Sequence, residues 1–133
     1  LTEHIRVVGH CDDMPAAFLL ADVALLPTIV PESFGRAAVE PQAMGRPVIA
    51  SAHGGTVETV VDGSTGWLAA PGEPRVWATA MLQAMDIGPG RRLEMGSAGM
   101  NRTRQLYRVD AMCAATLSAY ERVLATRSPD PAP

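Results

Sequence analysis

The 133-residue chain contains no lysine; all 11 of its basic residues are arginine. That absence excludes a Schiff-base lysine, a P-loop lysine and any lysine-built phosphate clamp within this chain. Charge of either sign is scarce, at 19% of residues with a net −3. A broad electrostatic footprint for nucleic acid is therefore not expected. No apolar run approaches the roughly 18 residues that a membrane-spanning helix needs. The two cysteines, Cys11 and Cys113, form no CxxC, and the three histidines, His4, His10 and His53, are scattered. Neither set has ligand spacing, so no metal and no cofactor is expected. Two reduced thiols suit a cytoplasmic protein. The length suits one domain and is too short for a two-domain enzyme.

What is there is 47% hydrophobic and alternates in character. Ile5–Val8 is a short β-prone run ending at Gly9. A helix is expected from about Met14 to Ala21, with Asp12 or Asp13 as N-cap. Val23–Leu26, stopped by Pro27, reads as a buried strand. A loop over Thr28–Gly35 leads into a helix from Arg36 to Met44, closed by Gly45. Pro41 inside it removes one helix donor. Val48–Ala50 is a further strand. His53-Gly54-Gly55 is a turn before a short helix at Val57–Val61. Asp62-Gly63 is a second turn, and Gly66–Ala69 a last strand. Helices are expected from Pro74 to Met85, Arg91 to Tyr107 and Asp110 to Ala125. Strands alternating with helices imply a parallel α/β sheet covered on both faces. Such sheets bind ligands in the loops at their strands' carboxyl ends, here 27–36 and 51–57.

The first of these loops reads Pro31-Glu32-Ser33-Phe34-Gly35-Arg36, and Glu40 follows on the helix. Glu32 precedes the helix, and Glu40 lies about 7 Å along it at the usual rise per residue. Two carboxylates thus bracket a helix N-terminus whose free N–H groups and dipole favour a phosphate. Carboxylates beside an anion site serve best as acceptors for hydroxyl donors, which a sugar or ribose supplies in pairs. The spacing therefore points to a nucleotide sugar, although two glutamates alone also fit a solvated loop residue and an ordinary helix residue.

A longer string resembles the donor-binding half of GT-B glycosyltransferases, in particular the retaining glycosyltransferase family 4, or glycosyl transferases group 1 type. It comprises Ala21-Asp22-Val23-Ala24-Leu25-Leu26-Pro27, Pro31-Glu32-Ser33-Phe34-Gly35, and Glu40 followed by Ala43-Met44-Gly45-Arg46-Pro47-Val48-Ile49-Ala50. Gly54-Gly55, Glu58, Asp62-Gly63, Gly66-Trp67-Leu68 and Pro71-Gly72-Glu73-Pro74 continue it. The resemblance implies an incomplete Rossmann-like, doubly wound parallel sheet with C-terminal helices. It assigns Glu32 the catalytic place, holding hydroxyls of the donor sugar. The backbone of Ser33, Phe34 and Gly35 would contact that sugar. The N–H groups of Arg36 and Ala37 would face the diphosphate, and Glu40 would take the ribose hydroxyls. Relatives often carry glycine where Ser33 stands; its side chain either narrows the sugar subsite or caps the helix. The Arg36 side chain reads as a solvated charge, and His53 as an exposed loop residue. Glu58 reads as a local structural acceptor, and Trp67 and Trp77 as core or interface. His10 is either a border of the base pocket or a loop residue. Gly54-Gly55 is either a close approach to phosphates or a plain turn.

By the same resemblance Ile5–Val8 is the third strand of its domain, and two strands belong upstream of Leu1, with the arginine and lysine that neutralise the diphosphate. The expected division is a partial nucleotide-sugar-binding domain at 1–108, a C-terminal helix at 109–127 and a disordered tail at 128–133. The implied function is transfer of a sugar, with retention, from a nucleotide diphosphate sugar to an unknown acceptor. The 133-residue chain alone is expected to be inactive and to self-associate through its incomplete sheet. The implied location is cytoplasmic, at the inner face of the membrane if an N-terminal domain docks there. The competing readings are a non-catalytic nucleotide-sugar-binding or interaction module and, more weakly, an epimerase.

Overall fold

The computed structural model describes residues 2–126. Three parallel strands, β1 (Ala24–Leu26), β2 (Val48–Ser51) and β3 (Gly66–Ala69), lie in the order β1-β2-β3. Ala24 pairs with Val48, and Ile49 with Trp67. Around them run α1 (Met14–Leu20), α2 (Arg36–Ala43), α3 (Thr56–Thr59), α4 (Pro74–Asp86), α5 (Gly88–Leu106) and α6 (Val109–Thr126).

Every residue of β2 is buried, as a central parallel strand with both faces covered requires. Strand period two sends its side chains to two cores. Val48 and Ala50 pack with Ala24, Leu26, Ala38 of α2 and Val60 after α3. Ile49 packs on the other side with Trp67, Ala80 and Ala84 of α4 and Met95 of α5. Trp67 is thus a core residue, and Trp77 packs against that core while its indole N–H donates to the Ala70 carbonyl. At α1 the Asp13 carboxylate accepts from the Ala16 N–H at 3.0 Å, which selects Asp13 as the N-cap. Helix α5 begins at Gly88, earlier than Arg91, and runs directly on from α4.

The expected first strand is not formed. Ile5–Val8 carries no ladder, and Val7 and Val8 are 94% and 82% exposed. A three- or four-residue strand has no stability apart from a neighbour, and this segment does not pair with β1. Among the described residues β1 is therefore an edge, with Leu25 partly exposed. An open apolar groove of about 480 Å³ lies beside it, lined by Val23, Leu25, Ile49, Met81 and Met85 among others. The expected tail at 128–133 lies outside the described residues. No helix of the described residues is long and apolar enough to cross a membrane.

Candidate functional site

The carboxyl ends of β1 and β2 feed two loops that lock together. The Ser51 hydroxyl donates to the Thr28 carbonyl at 2.7 Å, and the His53 ring donates through Nε2 to the same carbonyl at 2.9 Å. His53 is accordingly half-buried, where an exposed residue was expected. The reason is local: the loop after β1 folds over β2 and offers its carbonyl to the ring. Thr56, buried at the start of α3, directs its hydroxyl to the Ser51 and His53 carbonyls.

Gly54 and Gly55 form the contact between the loops. The Gly55 N–H donates to the Glu32 carbonyl at 2.7 Å. A Cβ on Gly54 would lie 2.5 Å from the Glu32 carbonyl oxygen, and one on Gly55 would lie 2.5 Å from the Phe34 carbonyl carbon. This pair therefore backs the Pro31–Gly35 segment, and its smallness is what lets the two backbones meet. Gly35 then turns the chain into α2 with φ +78, in the left-handed region. No side chain caps the helix there. Ser33 is exposed and does not act as the cap, because Gly35 and not Ser33 occupies that position.

The start of α2 is open. The Ala38 and Val39 N–H groups return to the Gly35 carbonyl, while among the described residues those of Arg36 and Ala37 donate to no backbone carbonyl. The first N–H groups of a helix need an acceptor from outside it. Glu32, half-buried, precedes this end, and Glu40, half-buried, lies one turn into the helix. Arg36 and Glu40 form an i,i+4 pair at 2.8 Å, with the guanidinium 83% exposed. Glu32, Ser33, Phe34, Gly35, Arg36, Ala37 and Glu40 thus belong to one loop and the first turns of one helix. His10 stands apart, exposed and paired with Asp12. Among the described residues no group of three His, Cys, Asp or Glu is placed to hold a metal.

Sequence reasoning missed how much the later helices support this end. The Glu58 carboxylate is exposed, and it is the Glu58 carbonyl that serves as acceptor. It receives Arg102 Nη2 at 2.9 Å and the Tyr107 hydroxyl at 3.2 Å, both from α5 and its cap. The Tyr107 ring also meets Phe34 edge to face, with centroids 5.3 Å apart. Nothing local marks Tyr107 for this role, since the contact spans most of the chain.

A family profile described as glycosyl transferases group 1 matches residues 1–102. The D-inositol 3-phosphate glycosyltransferase of Corynebacterium aurimucosum is 40% identical over 93 residues, covering 70% of this chain and 22% of that protein. Among solved structures, Anabaena HepE in complex with UDP and glucose superposes with a TM-score of 0.78 at 28% identity, over 86% of this chain and 32% of that one. Sucrose-phosphate synthase from Thermosynechococcus elongatus gives 0.81 at 30% identity, over 94% of this chain and 31% of that one. The chain therefore spans between about a fifth and a third of the length of these proteins.

Proposed function

The chain belongs to the glycosyl transferases group 1 family, and on that premise we propose that it is the donor-binding part of a glycosyltransferase. The donor is a nucleotide diphosphate sugar, and the sugar passes to an acceptor with retention of configuration. The observation that carries this reading is the open start of α2, where the Arg36 and Ala37 N–H groups, between Glu32 and Glu40, meet no backbone carbonyl among the described residues. The Arg36 and Ala37 N–H groups face the diphosphate. There the helix dipole stabilises the negative charge that grows on the leaving group as the sugar–phosphate bond breaks. Glu32 accepts hydrogen bonds from sugar hydroxyls, and Glu40 accepts those of the ribose in exchange for Arg36. The HepE complex with UDP and glucose supports this class of donor.

The same reading gives residues 1–108 the donor-binding role, needs a second region for the acceptor, and leaves the isolated 133-residue chain without transfer activity. It places the whole enzyme in the cytoplasm, where nucleotide sugars are substrates. A thermal-shift panel of UDP and GDP sugars on the full-length protein tests it. Stabilisation that rises with ligand concentration supports the reading, and no shift with any of them contradicts it.

A further inference from the structure

We propose that Tyr107 is a positioning residue of the sugar end of this site, acting through Phe34. The inference rests on the donor-site reading above. Tyr107 caps α5, where its own N–H donates to the Thr103 carbonyl at 2.9 Å. Its backbone is therefore anchored to a 19-residue helix. Its hydroxyl and Arg102 converge on the Glu58 carbonyl, one of the last carbonyls of α3, which the short helix leaves without a partner of its own. The end of α5 is in this way tied to α3, whose N-cap is the Gly55 that holds Glu32.

Phe34 stands between these supports. Its backbone lies against Gly55 on one side, and its ring meets the edge of Tyr107 on the other, in the one aromatic pair of the described residues. Phe34 is 45% exposed, so the ring adds little to the core. Gly54 and Gly55 hold the backbone of the Glu32–Gly35 segment and α2 takes its Gly35 carbonyl, and the contact with Tyr107 adds a hold on its one aromatic side chain from the α5 side. Small displacements of groups that touch a substrate weaken binding disproportionately. Tyr107 therefore governs how well the segment meets the sugar. The nucleoside diphosphate, held further along at α2, depends on it less.

The test uses the full-length protein and four probes: UDP, UDP-glucose, GDP and GDP-mannose, titrated calorimetrically. Tyr107→Ala is expected to weaken the sugar nucleotide that binds by about three- to tenfold, the size of one aromatic contact. The matching nucleoside diphosphate weakens by less than about twofold. Tyr107→Phe keeps the ring contact and restores sugar-nucleotide affinity, and Phe34→Ala with Tyr107→Ala is no weaker than Phe34→Ala alone. Tyr107→Leu replaces Tyr107→Ala if the latter does not fold. Equal loss for both ligands, unchanged affinity for both, or additive losses overturn the proposal while the donor-site reading stands. Binding of none of the four, or Glu40→Ala binding them as the parent does, overturns the donor-site reading itself.

Discussion

Gly55 holds Glu32 from behind: its N–H donates to the Glu32 carbonyl at 2.7 Å, and its Cα leaves no room for a methyl group against Phe34. Gly55 itself has ordinary helical torsions, φ −65 and ψ −15, so Gly55→Ala adds no backbone strain, and its cost in the folded state comes from that contact. The substitution is expected to cost about 1–3 kcal/mol by overpacking and to weaken nucleotide binding by shifting the loop. Urea unfolding and nucleotide titration of the variant check both. Values equal to those of the parent protein would show that the contact is not restrictive.

Gln42 is the one glutamine buried in α2, and its amide donates to the Ala38 carbonyl at 2.9 Å and the Thr59 carbonyl at 3.1 Å. Gln42→Leu leaves the Thr59 carbonyl without this donor. It also removes a buried Oε1 that has no protein partner, which offsets part of the loss. The net destabilisation is expected near the lower end of the usual range, about 1 kcal/mol. A stabilised variant in urea unfolding would mean that the link between α2 and α3 costs more than it contributes.

Arg36 and Glu40 make an exposed i,i+4 pair, and such pairs contribute little once solvent screening is allowed for. Arg36→Ala is expected to change stability by less than about 0.5 kcal/mol. Its effect on nucleotide affinity should be smaller than that of Glu40→Ala. The reverse order in parallel titrations would give the guanidinium, and not the carboxylate, the main part in holding the nucleotide.

The outer edge of β1 and the apolar groove beside it form an open sheet edge of the kind that pairs with another chain. The isolated 133-residue chain is expected to self-associate, as size-exclusion chromatography with light scattering would register. Leu25→Lys, at this edge, should shift it toward monomer. A monomeric parent chain at tens of micromolar would contradict this.

The strands and helices that carry strong local signals were legible in the sequence. The apolar runs at β1 and β2, and Gly35 before α2, formed elements within a residue or two of the expected bounds. Ile5–Val8 failed because β propensity describes a fit to a neighbouring strand, and among the described residues none pairs with it. The candidate residues from Glu32 to Glu40 were visible as a string, since they occupy one continuous stretch. Their supports were not: the His53 bond to the Thr28 carbonyl and the Tyr107 contact with Phe34 depend on chain segments that only the tertiary fold brings together.

The most direct measurement is a calorimetric titration of UDP and GDP into the full-length protein and its Glu40→Ala variant. The account predicts that one of the two nucleotides binds and that the variant binds it about 1–3 kcal/mol more weakly, the cost of leaving ribose hydroxyls without their charged acceptor. Equal affinity of the parent and the variant would remove Glu40 from the site and contradict the account.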